Sequence, residues 1–159
     1  MLIGVVSDTH GYVDPRLIDA FTGVDAILHA GDVGSARVLE SLAELAPLHA
    51  VRGNNDRDSY AMALPEHLDL QLAGLPIHLV HELPSARPLP ESRAVVFGHS
   101  HRQLCESRNG VLYLNPGAAG RSGFHRLQTA ALLRIESGEP RAELIELGLR
   151  LPSQYSRRA

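Results

Sequence analysis

Five times in this chain a short apolar run breaks off at an aspartate, an asparagine or a histidine. LIGVVS (2–7) runs into Asp8-Thr9-His10, and DAILHA (25–30) into Gly31-Asp32. LHAV (48–51) is followed by Gly53-Asn54-Asn55-Asp56, HLV (78–80) by His81, and AVVFG (94–98) by His99-Ser100-His101. Runs this short and this apolar read as buried strands. Helical signals separate the first three: one from Pro15 to Phe21, then ARVLESLAELA (36–46) behind Ser35 as N-cap, with Leu39, Leu42 and Leu45 on one face. Strand–helix–strand with short connections predicts parallel strands joined by right-handed crossovers.

The second half is richer in strands. HLDLQLAGLPIHLVH (67–81) alternates on both sides of Ala73-Gly74 and predicts a hairpin, as does TAALLRIESGEPRAELIEL (129–147) around Ser137-Gly138. GVLYLNPG (110–117) reads as one more strand, and the three prolines of LPSARPLPES (83–92) exclude a long helix. A parallel βαβ half followed by a β-rich half predicts an α/β protein of two packed sheets flanked by helices. At 159 residues the chain fits one domain, taken as residues 1–151, with a polar tail at 152–159.

Composition removes several function classes. A net charge of −3 and a pI near 6.3 give no general reason to bind nucleic acid or an anionic membrane. No apolar run approaches the roughly 20 residues of a membrane span. The opening MLIGVVSDTHG lacks a basic, long-apolar secretory leader, and the lone Cys105 can form no internal disulfide. Both features predict a cytoplasmic protein. Self-association as a homo-oligomer is left open.

In parallel α/β sheets, loops at the carboxyl ends of strands converge on the ligand. Asp, His and Asn at five such ends therefore predict a shared site. Asp8 and His10, and again His99 and His101, are two residues apart, so in extended backbone each pair would point one way and grip one ion. Gly31, Gly53 and Gly98 allow close backbone approach at three of those ends. Imidazole, carboxylate and amide donors without thiolate suit manganese, iron, zinc or nickel. Of the other candidates, Asp56 reads as a stabiliser of its own loop and His29 as a packed histidine orienting a ligand. His49, His67 and His78 read as edge or surface residues.

DTH, GD, GNND and GHSH, in that order and followed by NPGAAGR (115–121), resemble the calcineurin-like metallophosphoesterases, most closely the small bacterial and archaeal phosphodiesterases. The resemblance implies a four-layer α/β/β/α sandwich of two mixed sheets flanked by helices. It also implies two divalent ions, manganese first, with zinc, iron or nickel as alternatives. On the matching positions Asp8, His10 and His101 would hold one ion and Asn54, His81 and His99 the other, with Asp32 bridging. Two divalent cations against the Asp8 and Asp32 carboxylates leave about two positive charges to attract phosphate oxygens. The implied reaction is in-line attack on a small phosphate ester by a hydroxide bridging the two ions. Asp32, Asn54, Asn55 and His99 are the catalytic candidates.

Two positions depart from the family pattern. Asn55 stands where many relatives have a histidine that protonates the leaving group, and an amide cannot replace that proton. Good leaving groups, such as those of aryl phosphodiesters, should then be favoured. His125 and Arg121 are candidates to substitute as acid or phosphate clamp. Glu82 follows His81 where glycine is usual, so a missing helix there would open one side of the cleft or shift His81. The rival from another class is a protein-interaction scaffold on the same fold, like a retromer subunit. A phosphomonoesterase or a nucleotide pyrophosphatase are the rivals within the enzyme reading.

Overall fold

The computed structural model describes residues 1–150 and Pro152, so the predicted polar tail lies, Pro152 apart, outside the described residues. Its first strand, β1 (Leu2–Val6), pairs in parallel with β2 (Ala26–His29), and β2 with β3 (Leu48–Ala50). The crossovers carry the helices α1 (Pro15–Ala20) and α2 (Ala36–Ala43). Asp14 caps α1 by accepting from the Arg16 N–H at 2.9 Å, with Pro15 at the first helical position. Ser35 occupies the cap position of α2, as its sequence predicts, but its side chain makes no capping bond.

The second half builds β4 (His67–Leu72), β5 (Leu75–Val80), β6 (Ala94–Val96), β7 (Gln103–Arg108), β8 (Val111–Pro116), β9 (Leu127–Glu136) and β10 (Glu139–Leu149). Two mixed five-stranded sheets result, ordered β10-β9-β1-β2-β3 and β4-β5-β6-β8-β7. Ile3, Val5 and Leu28 of the first sheet meet Leu75, Ile77, Leu79 and Val96 of the second in a core buried between them. Every second residue of these strands faces that core, as strand periodicity requires. The outer face of the first sheet packs Val6 and Ile27 against Leu17 of α1, Phe21 just after it, and Val38 and Leu42 of α2.

The outer layer on the second sheet is thin. One turn of 3₁₀ helix, Leu83–Ser85, and the proline-rich segment after it cover Val80, Val95 and Phe97. His78 overturns its reading as an edge or surface residue. It is fully buried, 2.8 Å from Asp69 Oδ1, and accepts from the Arg87 N–H, tying this cover to β5.

Strand β7 was not anticipated from QLCESR (103–108), whose polar character reflects an exposed edge position. The signal for it lay in the turn: Asn109-Gly110 carries positive φ at both residues (51° and 78°). That is the type I′ chemistry of a two-residue hairpin. The Ala73-Gly74 and Ser137-Gly138 turns share it.

Candidate metal centre

Among the described residues, eight non-glycine residues have positive φ. Three, Ala73, Asn109 and Ser137, sit at the hairpin tips. The other five are Asp8, His10, Asp32, His99 and His101, with φ between 47° and 70°. Left-handed backbone costs a side-chain-bearing residue of order 1 kcal/mol or more, and its concentration outside turns marks a site that the surrounding structure forces. This corrects the extended-backbone rationale for the two-residue spacings. His99 and His101 do not point together along a strand; each is swung by its own kink. His101 joins His10, with ring centroids 5.5 Å apart, and His99 joins His81 at 5.2 Å.

The kinks are held by bonds between strand ends. Asp8 donates its N–H to Gly31 O, His10 to Asp32 O and Gly11 to Val33 O, at 2.8–3.0 Å, lacing the β1 and β2 ends together. Asp56 is the loop stabiliser its position suggests. It accepts from the N–H groups of Val33, Gly34 and Gly53 and from the Tyr60 hydroxyl, at 2.8–3.1 Å. The glycines mark where site residues press hardest. A Cβ on Gly53 would lie 2.1 Å from Asp32 Oδ1, one on Gly98 2.8 Å from Asp8 Oδ2, and one on Gly31 2.7 Å from His81 Nδ1.

His29 is fully buried behind the site. Its Nδ1 accepts from the Gly31 N–H, so Nε2 carries the proton and donates to Thr9 Oγ1 at 2.9 Å. Burial keeps this ring neutral, with its pKa lowered to about 4. Asn115, whose contribution the motif left unspecified, donates to Gly98 O and Ser100 Oγ and so shapes the loop carrying both histidines.

The polar atoms gather in two groups. In the first, the buried Asp8 uses Oδ2 to accept from Ser7 Oγ at 2.6 Å and the His99 N–H at 3.0 Å. Its Oδ1 makes no hydrogen bond, one of two such buried side-chain atoms among the described residues. It faces His101 Nε2 at 3.2 Å and His10 Nε2 at 3.9 Å, and those two nitrogens are 3.4 Å apart. Donors about 2.1 Å from one ion stand about 3.0–3.4 Å from each other, so a divalent cation fits here and satisfies the orphaned oxygen.

In the second group, Asn54 Oδ1 lies 2.9 Å from His81 Nε2 and 3.1 Å from His99 Nδ1. His81 Nδ1 donates to Ala30 O at 2.7 Å, which leaves Nε2 turned toward the site. The concern over Glu82 resolves here: His81 is buried and held in place, while a cavity of about 360 Å³ opens beside it along Arg52, Asn54 and Glu82.

Asp32 lies between the groups, 3.8 Å from His10 Nε2 and 3.5 Å from His81 Nε2. Its carboxylate accepts from Asn55 twice, from the N–H at 2.9 Å and from Nδ2 at 2.7 Å. Burial of Asp32 favours the neutral acid, but His81 and the Asn55 bonds outweigh it and hold its pKa well below the usual carboxylate range. Burial of His81 opposes charging, but Asp32 and Asp8 outweigh it and raise its pKa. The seven sequence-predicted donors therefore converge, with Asp8 close to both groups. Asn55 stands beside them, turned to Asp32. Arg121 stacks on Tyr12 and donates to its hydroxyl, and His125 meets the outer nitrogen of His101.

Comparison with known proteins bears on this geometry. A family model described as the calcineurin-like phosphoesterase superfamily domain matches residues 1–138. A protein of Methanothermobacter thermautotrophicus described as a probable metallophosphoesterase is 32% identical over 165 residues, covering 93% of this chain and 94% of its own. The solved structure of an archaeal phosphodiesterase matches with a TM-score of 0.75 at 24% identity, covering 91% of this chain and all of that one. Vps29 of Entamoeba histolytica, solved with zinc, matches with a TM-score of 0.72 at 19% identity, covering 93% of this chain and 100% of its own. The two structural likenesses speak to the fold.

Proposed function

The chain belongs to the calcineurin-like phosphoesterase superfamily, and from that premise we propose that it is a metal-dependent phosphodiesterase acting on a small phosphate ester. The observation that carries the reading is Asp8 Oδ1, a buried carboxyl oxygen without a hydrogen bond, among imidazole nitrogens at ligand-to-ligand spacing. In this reading Asp8, His10 and His101 would hold one divalent ion and Asn54, His81 and His99 a second, with Asp32 in reach of both. Manganese is the expected ion, with zinc, iron and nickel as alternatives. Such ions neutralise charge on phosphoryl oxygens and lower the pKa of water, so that a hydroxide is available near neutral pH for in-line attack.

The protein's own groups do the rest. Ala30 O fixes the His81 tautomer, and Asn55 orients the carboxylate of Asp32, which His81 and Asn55 together keep ionised. A second cavity, about 450 Å³ along His99, His101, Arg102 and Phe124, also borders the centre, which leaves room for both substituents of a small diester. With an amide at position 55, departure relies on the leaving group's own acidity, which favours aryl diesters over alkyl monoesters.

The test is hydrolysis of bis-aryl diesters and alkyl monoesters with manganese, zinc, nickel or chelator, in wild type and Asp32→Asn. The reading expects metal-dependent turnover, fastest on aryl diesters and lost in the variant. Comparable rates on both substrate types would favour the monoesterase alternative. The Vps29 likeness keeps a scaffold function on this fold as the second reading. Full metal occupancy without hydrolysis of any ester would favour it.

A further inference from the structure

We infer that His125 is a positioning residue that fixes the tautomer of His101, so that His101 Nε2 presents a lone pair to Asp8 and His10. The inference rests on the reading of His101 as a metal ligand and adds a residue that the DTH, GD, GNND and GHSH motifs do not include.

His125 Nε2 lies 2.9 Å from Gly120 O. A carbonyl has no proton to give, so Nε2 must carry one, and a neutral ring is then left with a bare acceptor at Nδ1. The atom facing that acceptor is His101 Nδ1, at 3.2 Å. Only one proton fits between the two nitrogens, and it belongs to His101. In the neutral ring the His101 lone pair then sits on Nε2, 3.2 Å from the orphaned Asp8 Oδ1 and 3.4 Å from His10 Nε2.

Two further observations show that the contact is built. Gly123 closes over it, since a Cβ there would lie 2.4 Å from His101 Nδ1 and 3.1 Å from His125 Nδ1. Gly120 is itself anchored, donating its N–H to Asp8 O at 3.0 Å. The bonds thus run from the Asp8 backbone through Gly120 and His125 to His101, whose Nε2 faces the Asp8 carboxylate. Outer partners of this kind typically change metal affinity about 10–100-fold.

The test is the ¹⁵N imidazole spectrum of the full chain in chelator, at a pH above the imidazole range, joined to calorimetric titration with Zn²⁺. Wild type is expected to show His101 protonated at Nδ1 and His125 at Nε2. In His125→Phe, His101 should shift toward the Nε2-protonated form and zinc affinity should drop about 10–100-fold. His125→Gln, whose amide oxygen can accept the same proton, should restore part of both. Wild-type His101 protonated at Nε2, or a His125→Phe protein that folds with tautomer and affinity unchanged, would overturn the inference. Failure of the metal-centre reading would look different: no zinc uptake by wild type, whatever the tautomer.

Discussion

Asp8→Asn should reverse its effect on stability according to whether metal is present. Without metal, Asp8 Oδ1 is a buried carboxyl oxygen lacking a hydrogen bond, a defect that typically costs about 1–3 kcal/mol. Asparagine can keep the bonds from Ser7 Oγ and the His99 N–H on its oxygen while its Nδ2 donates to His101 Nε2, now 3.2 Å from Asp8 Oδ1. It also tolerates the φ of 54° at this position. Losing Asp8's attraction for the His81 ring offsets part of the gain. A net stabilisation of about 1–2 kcal/mol is expected in chelator, raising Tm by roughly 2–8 °C for a chain of this size. With manganese at about 100 times its Kd, wild type should gain about 2.7 kcal/mol per bound ion, and the variant much less. Urea unfolding followed by circular dichroism, in EDTA and in manganese, measures both. A variant less stable than wild type in EDTA, or one that gains equally from manganese, would refute the reasoning.

Other perturbations reach separate parts of the account. The His29 pKa falls from 6.5 to about 4 on folding, so as pH drops the unfolded chain takes up this proton first. About 3 kcal/mol of stability should be present above pH 6.5 and lost by about pH 4 in chelated protein, and His29→Gln should flatten that part of the pH profile. Gly53→Ala would press a methyl to 2.2 Å from the Asp32 backbone nitrogen. It should cost about 3 kcal/mol or more in urea unfolding, and an unchanged midpoint would contradict the close-approach argument. Asn55→His should raise the alkyl-to-aryl rate ratio by roughly tenfold or more by supplying a proton to the leaving group. No change in that ratio would mean that leaving-group protonation does not limit the reaction.

Much of this architecture was legible because buried strands and two-residue turns have local signatures. The apolar runs and the Ala73-Gly74 and Ser137-Gly138 turns predicted nine of the ten strands. The edge strand β7 escaped because an edge need not be apolar, although Asn109-Gly110 announced it. His78 was misjudged for a related reason. Its burial comes from the cover beyond the sheet and from Asp69 on the neighbouring strand, neither of which strand periodicity reports.

At the site, residue types and order picked out seven residues that the fold brings together, but not how they converge. Left-handed backbone at five of them is imposed by bonds such as His10 N–H to Asp32 O, between segments distant in sequence. The His101–His125 contact spans 24 residues and depends on the path of the loop through Gly120 and Gly123, so no local pattern carried it.

Anomalous diffraction from crystals soaked in manganese tests the central claim most directly. Two peaks are expected, one among Asp8, His10 and His101 and the other among Asn54, His81 and His99, both in reach of Asp32. Peaks confined to the surface, or no anomalous density between those side chains after a saturating soak, would contradict it.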